Sequence, residues 1–163
     1  MRILLPALAI ALLVACGPPG EPPQPSPSAP AATSTPQQAA ASSEAQQVAV
    51  AALTTPYNAA SYEAGRRVFA QCRSCHTIAA DGGNRVGPNL HGVFGREVGT
   101  APGFNYSQPV QDANFTWDAA QLDHWLANPQ TFLPGNRMAF AGVRDETQRR
   151  DLIAYLMVES ASE

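Results

Sequence analysis

Cys72-Arg73-Ser74-Cys75-His76 constrains what this chain can become more than any other stretch. Two thiols three positions apart, followed at once by an imidazole, form the attachment motif of a c-type haem. The spacing has a chemical reason. Each thiol forms a thioether to one vinyl group, and the adjacent imidazole then lies under the iron as an axial ligand. A bare CxxC also serves as a redox dithiol or as half of a zinc site. Zinc needs a second ligand pair, and no other cysteine falls in the globular part of the sequence. A thioredoxin-like dithiol needs a βαβ setting, and the sequence around this motif has none.

The 163 residues include three cysteines, ten arginines and no lysine, enough for one domain of ordinary size. A formal net charge of −3 argues against a nucleic-acid partner. Residues 1–15 read as a secretory signal, with Arg2 as the positive start and Ile3 to Val14 as the apolar core. That core is shorter than the roughly 20 apolar residues of a membrane-spanning helix. It ends in Leu13-Val14-Ala15-Cys16, which resembles a bacterial lipobox, so Cys16 is the expected site of lipid attachment. Acyl chains there would hold the protein at a membrane, since each buried methylene adds roughly 0.8 kcal/mol. One cysteine for lipid and two for haem leave none for a disulfide. Export also suits the chemistry, because bacteria attach c-type haem outside the cytoplasm. The expected location is therefore the periplasm, anchored to a membrane.

Residues 16–56 read as a tether. The stretch Gly17–Pro56 holds nine prolines with many alanines, serines and glutamines. Such a composition buries too little apolar surface to offset chain entropy. Fully extended, 40 residues reach roughly 120 Å. Within it, Gln37–Leu53 is alanine-rich and compatible with transient helix.

Residues 57–163 are the expected globular domain. A chain this short buries a modest core alone, and a haem supplies much of the missing interior. Three helices are legible. The first runs from Ser61 to Cys72, with Tyr62, Gly65, Phe69 and Cys72 on one face. The second starts near Thr116 or Asp118 and stops at Asn128-Pro129, with Leu122, Trp125 and Leu126 inward. The third runs from Asp145 to Glu159, where Asp145 and Gln148 resemble a capping box and Leu152, Tyr155 and Leu156 face inward. Between the first two lie some 40 glycine-rich residues without strand alternation. A loop that long suits wrapping around a cofactor.

An iron held by one histidine has a sixth position. Met138, Met157, His91 and His124 are the candidates. Met138 lies in the loop Pro134-Gly135-Asn136-Arg137-Met138-Ala139-Phe140 and is the expected ligand with His76. Met157 lies on a helix with core work to do, and His91 and His124 read as surface residues.

Several runs together resemble class I cytochrome c of the mitochondrial type and the bacterial cytochromes c2. They are Val86 to Arg96, Ala101 to Tyr106, Thr116-Trp117, Pro134 to Gly142 and Asp151 to Leu156. The resemblance covers Tyr57 to Glu163. It implies an all-α fold of three main helices and long loops wrapped around one haem c, bound through Cys72 and Cys75. It implies that the Pro88 carbonyl accepts from His76, that Arg96, Tyr106 and Trp117 donate to a buried propionate, and that Phe140 lies beside the haem edge. Gly65, Phe69, Leu152 and Tyr155 match the contact between first and last helices. Two positions depart from the family: Trp125 replaces a tyrosine on helix two, and Val110 replaces an internal asparagine. Both alter polarity around the iron. The family's docking lysines are absent; Arg73, Arg85, Arg137 and Arg144 supply a thinner set of cations. Asp145, Glu146, Asp151, Glu159 and Glu163 put acid in the last helix and tail.

The implied function is electron transport by a monomeric, membrane-tethered carrier rather than an enzyme. Its partners would be membrane redox complexes, such as a bc1-type donor and a terminal oxidase or photosynthetic reaction centre as acceptor. The alternatives are a small haem peroxidase, which needs an open iron position and distal acid–base residues, and a haem-based gas sensor, which needs an output domain. Neither requirement is met by a motif in the sequence.

Overall fold

The computed structural model describes residues 36–161, in which six α-helices are joined by long loops. In chain order they are α1 (Pro36–Ala51), α2 (Tyr62–Phe69), α3 (Gln108–Asp112), α4 (Ala119–Ala127), α5 (Pro129–Phe132) and α6 (Glu146–Glu159). The expected all-α architecture holds. Among the described residues the one pairing of extended chain is an isolated antiparallel bridge between Glu97 and Thr116. The signal segment 1–15, Cys16 and residues 17–35 lie outside the described residues.

Side-chain oxygens start the principal helices by accepting from otherwise unpaired first-turn N–H groups. Ser61 Oγ accepts from Ala64 N at 3.2 Å, Asp118 Oδ1 from Gln121 N at 2.7 Å, and Asp145 Oδ1 from Gln148 N at 2.8 Å. The expected starts hold to within a residue. α4 stops before Pro129 as expected, but the chain then turns directly into α5, capped by Asn128 Oδ1 on Thr131 N at 3.2 Å. α2 is shorter than expected. It ends at Phe69, and residues 70–75 are tight turns instead of helix.

α2 crosses α6 at Gly65. A Cβ there would lie 2.1 Å from the Asp151 carbonyl oxygen and 2.7 Å from Tyr155 Cβ, so only glycine permits this approach. Tyr155 stacks its ring 5.2 Å from Tyr62 and 5.1 Å from Phe69, while Leu152, Ile153 and Ala154 are fully buried. Asp151 does not serve as surface charge. It is buried, and its Oδ1 accepts from Ser61 N at 3.0 Å, tying the start of α2 to α6. Glu159 likewise accepts from Tyr62 Oη at 2.7 Å. On the other side of α6, buried Arg149 grips Asp123 of α4 at 2.8 Å and donates to the carbonyls of Val143 and Arg144, each at 3.0 Å.

The tether reading of residues 36–56 gives way to ordered structure. α1 packs on α2, on α6 and on the 3₁₀ turn Tyr57–Ala59, and that turn packs on α6. Ser43, Gln47 and Val50 recur at helical spacing and make the contact. Ser43 Oγ donates to Glu63 Oε1 at 2.6 Å, and Val50 is fully buried. The Gln47 amide donates to Ala60 O at 3.0 Å and accepts from Tyr62 N at 2.8 Å. A composition averaged over a proline-rich stretch conceals a contact made by three residues. Gln47→Ala leaves the Ala60 carbonyl and the Tyr62 N–H without these partners. It should lower stability in urea by about 1–3 kcal/mol, and a midpoint equal to that of the unaltered protein would show that α1 contributes nothing.

Candidate haem site

The turns after α2 carry the CxxCH motif. Cys72 N–H returns to Phe69 O at 2.8 Å and His76 N–H to Cys72 O at 2.9 Å, so both thiols and the imidazole ride one tightly wound segment. Cys72, Cys75 and His76 line a cavity of about 600 Å3. Both thiols are half-buried and unbridged, and burial, helped by neighbouring Cys75, pushes the Cys72 thiol up to about 11.

Pro88 fixes the ring. His76 Nδ1 lies 2.7 Å from the Pro88 carbonyl, and a carbonyl can only accept, so Nδ1 carries the proton and Nε2 keeps its lone pair. Burial pulls the imidazole below its ordinary value, and this hydrogen bond partly offsets the shift. The backbone before Pro88 runs flat against the ring: a Cβ on Gly87 would sit 2.3 Å from His76 Cε1.

Met138 also lines the cavity, from the loop between α5 and α6. The other three candidates for a second ligand do not. Met157 packs against the core, and His91 uses its carbonyl to accept from Arg96 Nη1 at 3.1 Å. Exposed His124 stacks on Phe132 with ring centroids 6.5 Å apart.

The polar part of the cavity wall comes largely from residues 96–117. Arg96, Tyr106 and Trp117 all line it. Burial pulls the Arg96 guanidinium below its ordinary value, with Tyr106 opposing, so a nearby anion would favour its charge. Burial pushes the Tyr106 phenol up. Ser107 is a further wall residue that the sequence reading missed. Its Oγ is buried and has no hydrogen-bond partner among the described residues, a donor left waiting. Only its position beside Tyr106 pointed to it. Arg96, Tyr106 and Ser107 present the donors that a buried carboxylate needs. The apolar remainder includes Phe69, Leu122, Phe140, Leu152 and Leu156. Two adjacent thiols, an imidazole, a thioether, an apolar wall and a cluster of donors fit a haem with its propionates.

Both departures from the family lie on this wall. Trp125 meets Trp117 edge-on at 5.5 Å, and Val110 is buried at the end of the glycine-rich segment. Among the exposed cations, Arg85 Nη1 donates to the Arg73 carbonyl at 2.9 Å, which places these two side by side. Arg137 donates to the Asn105 carbonyl at the cavity wall. Arg144 does not line the cavity.

Comparison with known proteins gives the same assignment as this wall. The family model described as cytochrome c matches residues 62–158. Cytochrome c of Kluyveromyces lactis is 40% identical over 106 residues, covering 64% of this chain and 96% of that protein. Cytochrome c of Chlamydomonas reinhardtii is 45% identical over 98 residues, covering 60% and 88%. Cytochrome c2 of Rhodomicrobium vannielii is 36% identical over 121 residues, covering 71% and 97%. α1 lies outside the family match.

Gly87→Ala should push the His76 ring off the Pro88 carbonyl. Exchange of the His76 Nδ1 proton with solvent, followed by NMR, should accelerate about tenfold or more, the equivalent of one lost hydrogen bond. Unchanged exchange would show that the ring is held by something else.

Proposed function

We propose a membrane-tethered electron carrier, on the ground that this chain belongs to the cytochrome c family. As a member it is an electron-transfer protein, not an enzyme, and it binds one haem c covalently through Cys72 and Cys75. The family membership carries no further than that. The tether, the axial ligands and the partners are our reading.

The haem supplies a one-electron couple at iron. His76 would hold the metal through Nε2, with Pro88 fixing the opposite nitrogen and raising the ligand's basicity. Met138 would supply the second ligand, and a thioether there would favour a high potential. The observation that carries this is the wall of one cavity, which of the four sixth-ligand candidates includes only Met138. With His76 and Met138 both holding the iron, substrate would have no place on the metal. Arg96, Tyr106, Trp117 and Ser107 would hold the propionates and keep water from the buried carboxylate. Phe140 would pack beside the haem edge.

Secretion through residues 1–15 and lipid attachment at Cys16 would place the domain in the periplasm at a membrane surface. Between Cys16 and α1 lie residues 17–35, nineteen residues, whose geometric limit is about 3.5 Å each, or roughly 65 Å. That reach suits shuttling between a bc1-type donor and an oxidase or reaction centre in the same membrane. Arg73, Arg85 and Arg137 around the motif and the cavity wall would steer an acidic partner despite the net charge of −3.

Met138→Ala should lower the reduction potential and let the reduced protein bind carbon monoxide, which the unaltered protein should not. An unchanged potential would refute the ligand assignment. Electron-transfer rates with isolated membrane complexes should fall steeply as ionic strength rises, because exposed charges are screened beyond about 10 Å at 0.1 M salt. A flat salt profile would instead indicate apolar docking around Phe140.

A further inference from the structure

We propose that Asn136 is the positioning residue that keeps Met138 on the metal, an inference that rests on the reading of Met138 as second ligand. α5 is only one turn long, with Pro129 O accepting from Leu133 N at 3.0 Å and Leu133 O from Asn136 N at 3.2 Å. The Asn136 side chain reinforces both carbonyls. Its Nδ2 donates to Pro129 O and to Leu133 O, both at 2.9 Å. The other half of the same amide faces the ligand. Asn136 Oδ1 accepts from Met138 N at 2.9 Å and from Gln130 Nε2 at 3.3 Å. Gln130 Nε2 also lies 3.2 Å from the Met138 carbonyl, so both backbone groups of Met138 are held.

The amide can point only one way. Two carbonyls meet its nitrogen and two N–H groups meet its oxygen, and a flipped amide would oppose all four. Asn136 is 7% exposed, so water cannot readily replace these partners. A side chain doing this work needs two donor hydrogens and an acceptor on a short stem. Serine and threonine have one donor, aspartate has none, and glutamine is longer by a methylene. Asn136 thus joins the end of α5 to the residue that carries the thioether. Loss of the metal–sulfur bond by outward swing of this loop requires first breaking the Met138 N–H contact.

The test is competition for the sixth position. The oxidised haem-loaded protein is titrated with imidazole, and loss of the sulfur-to-iron charge-transfer band is followed. Imidazole binds only when the loop opens, so its apparent affinity reports that opening. Asn136→Ala should tighten imidazole binding about tenfold. The control is Asn128→Ala, which removes the N-cap of the same helix without touching Met138; it should stay within about twofold of the unaltered protein. Should Asn136→Ala fail to assemble, Asn136→Ser, which keeps one donor, is read instead and should fall between the two. The inference is overturned if the Asn136 variant binds imidazole like the unaltered protein, or if Asn128→Ala matches it, since a general loosening of α5 would then account for the effect. Absence of the charge-transfer band in the unaltered protein would remove Met138 as ligand and this inference with it. A band present with unchanged imidazole affinity removes this inference alone.

Discussion

The close crossing of α2 and α6 at Gly65 is the constraint on which the rest depends. A domain with a cavity of about 600 Å3 inside it has few direct contacts across its centre. It must be closed at its perimeter, and the tightest closure is where the Gly65 position approaches the Asp151 carbonyl. The same crossing places Phe69 and Leu152 on the cavity wall, and the chain leaving α2 must then turn at once into the CxxCH segment. The hydrogen bond from Ser61 N to buried Asp151 locks the sliding of one helix on the other. Movement of either helix would therefore move the cysteines.

Two asparagine side chains hold the long loops that complete the cavity. Asn89 follows Pro88, and its Nδ2 donates to Thr77 Oγ1 at 2.8 Å and to Ala79 O at 2.9 Å, while its Oδ1 accepts from His91 N at 2.6 Å. Asn136 does the equivalent for the Met138 loop. Each uses one amide to tie together backbone groups of an irregular segment that has no helix or sheet ladder of its own to order it. A carrier that changes charge without changing shape benefits from loops held by neutral amides, because the strength of such bonds depends little on the charge nearby.

Much of this was legible in the sequence. The CxxCH spacing, the stops at Asn128-Pro129 and the cap at Asp145 depend on local chemistry, and the structure places them accordingly. What escaped depends on contacts between distant positions. Asp151 reads as a solvated helix charge until Ser61, ninety residues earlier, is brought against it. Ser107 is an ordinary loop serine until burial leaves its hydroxyl without a partner. α1 was obscured for another reason. Its alanines make no apolar stripe, and its docking uses one valine and two polar side chains, a pattern that hydrophobic periodicity does not register.

The place where α1 docks has a mechanical consequence under tethering. It meets Ala60, Tyr62 and Glu63 at the start of α2, whereas the haem-bearing turns leave from the other end of that helix. Eight residues of helix, roughly 12 Å at 1.5 Å per residue, separate the two. A load arriving along the N-terminal chain would fall first on the Ser43–Glu63 bond, then on the Gln47 amide and on Val50. It would next meet the Ser61–Asp151 bond and the Gly65 crossing before reaching Cys72. Among the described residues, neither Pro88 nor the Met138 loop is hydrogen-bonded to α1 or to Ser61, Gly65 or Asp151; the Pro88 side meets α6 only at its far end, where Gly92 N donates to Ser160 O at 2.6 Å. If the chain is anchored as proposed, it could be pulled and reoriented at a membrane while His76 and Met138 stay where they are.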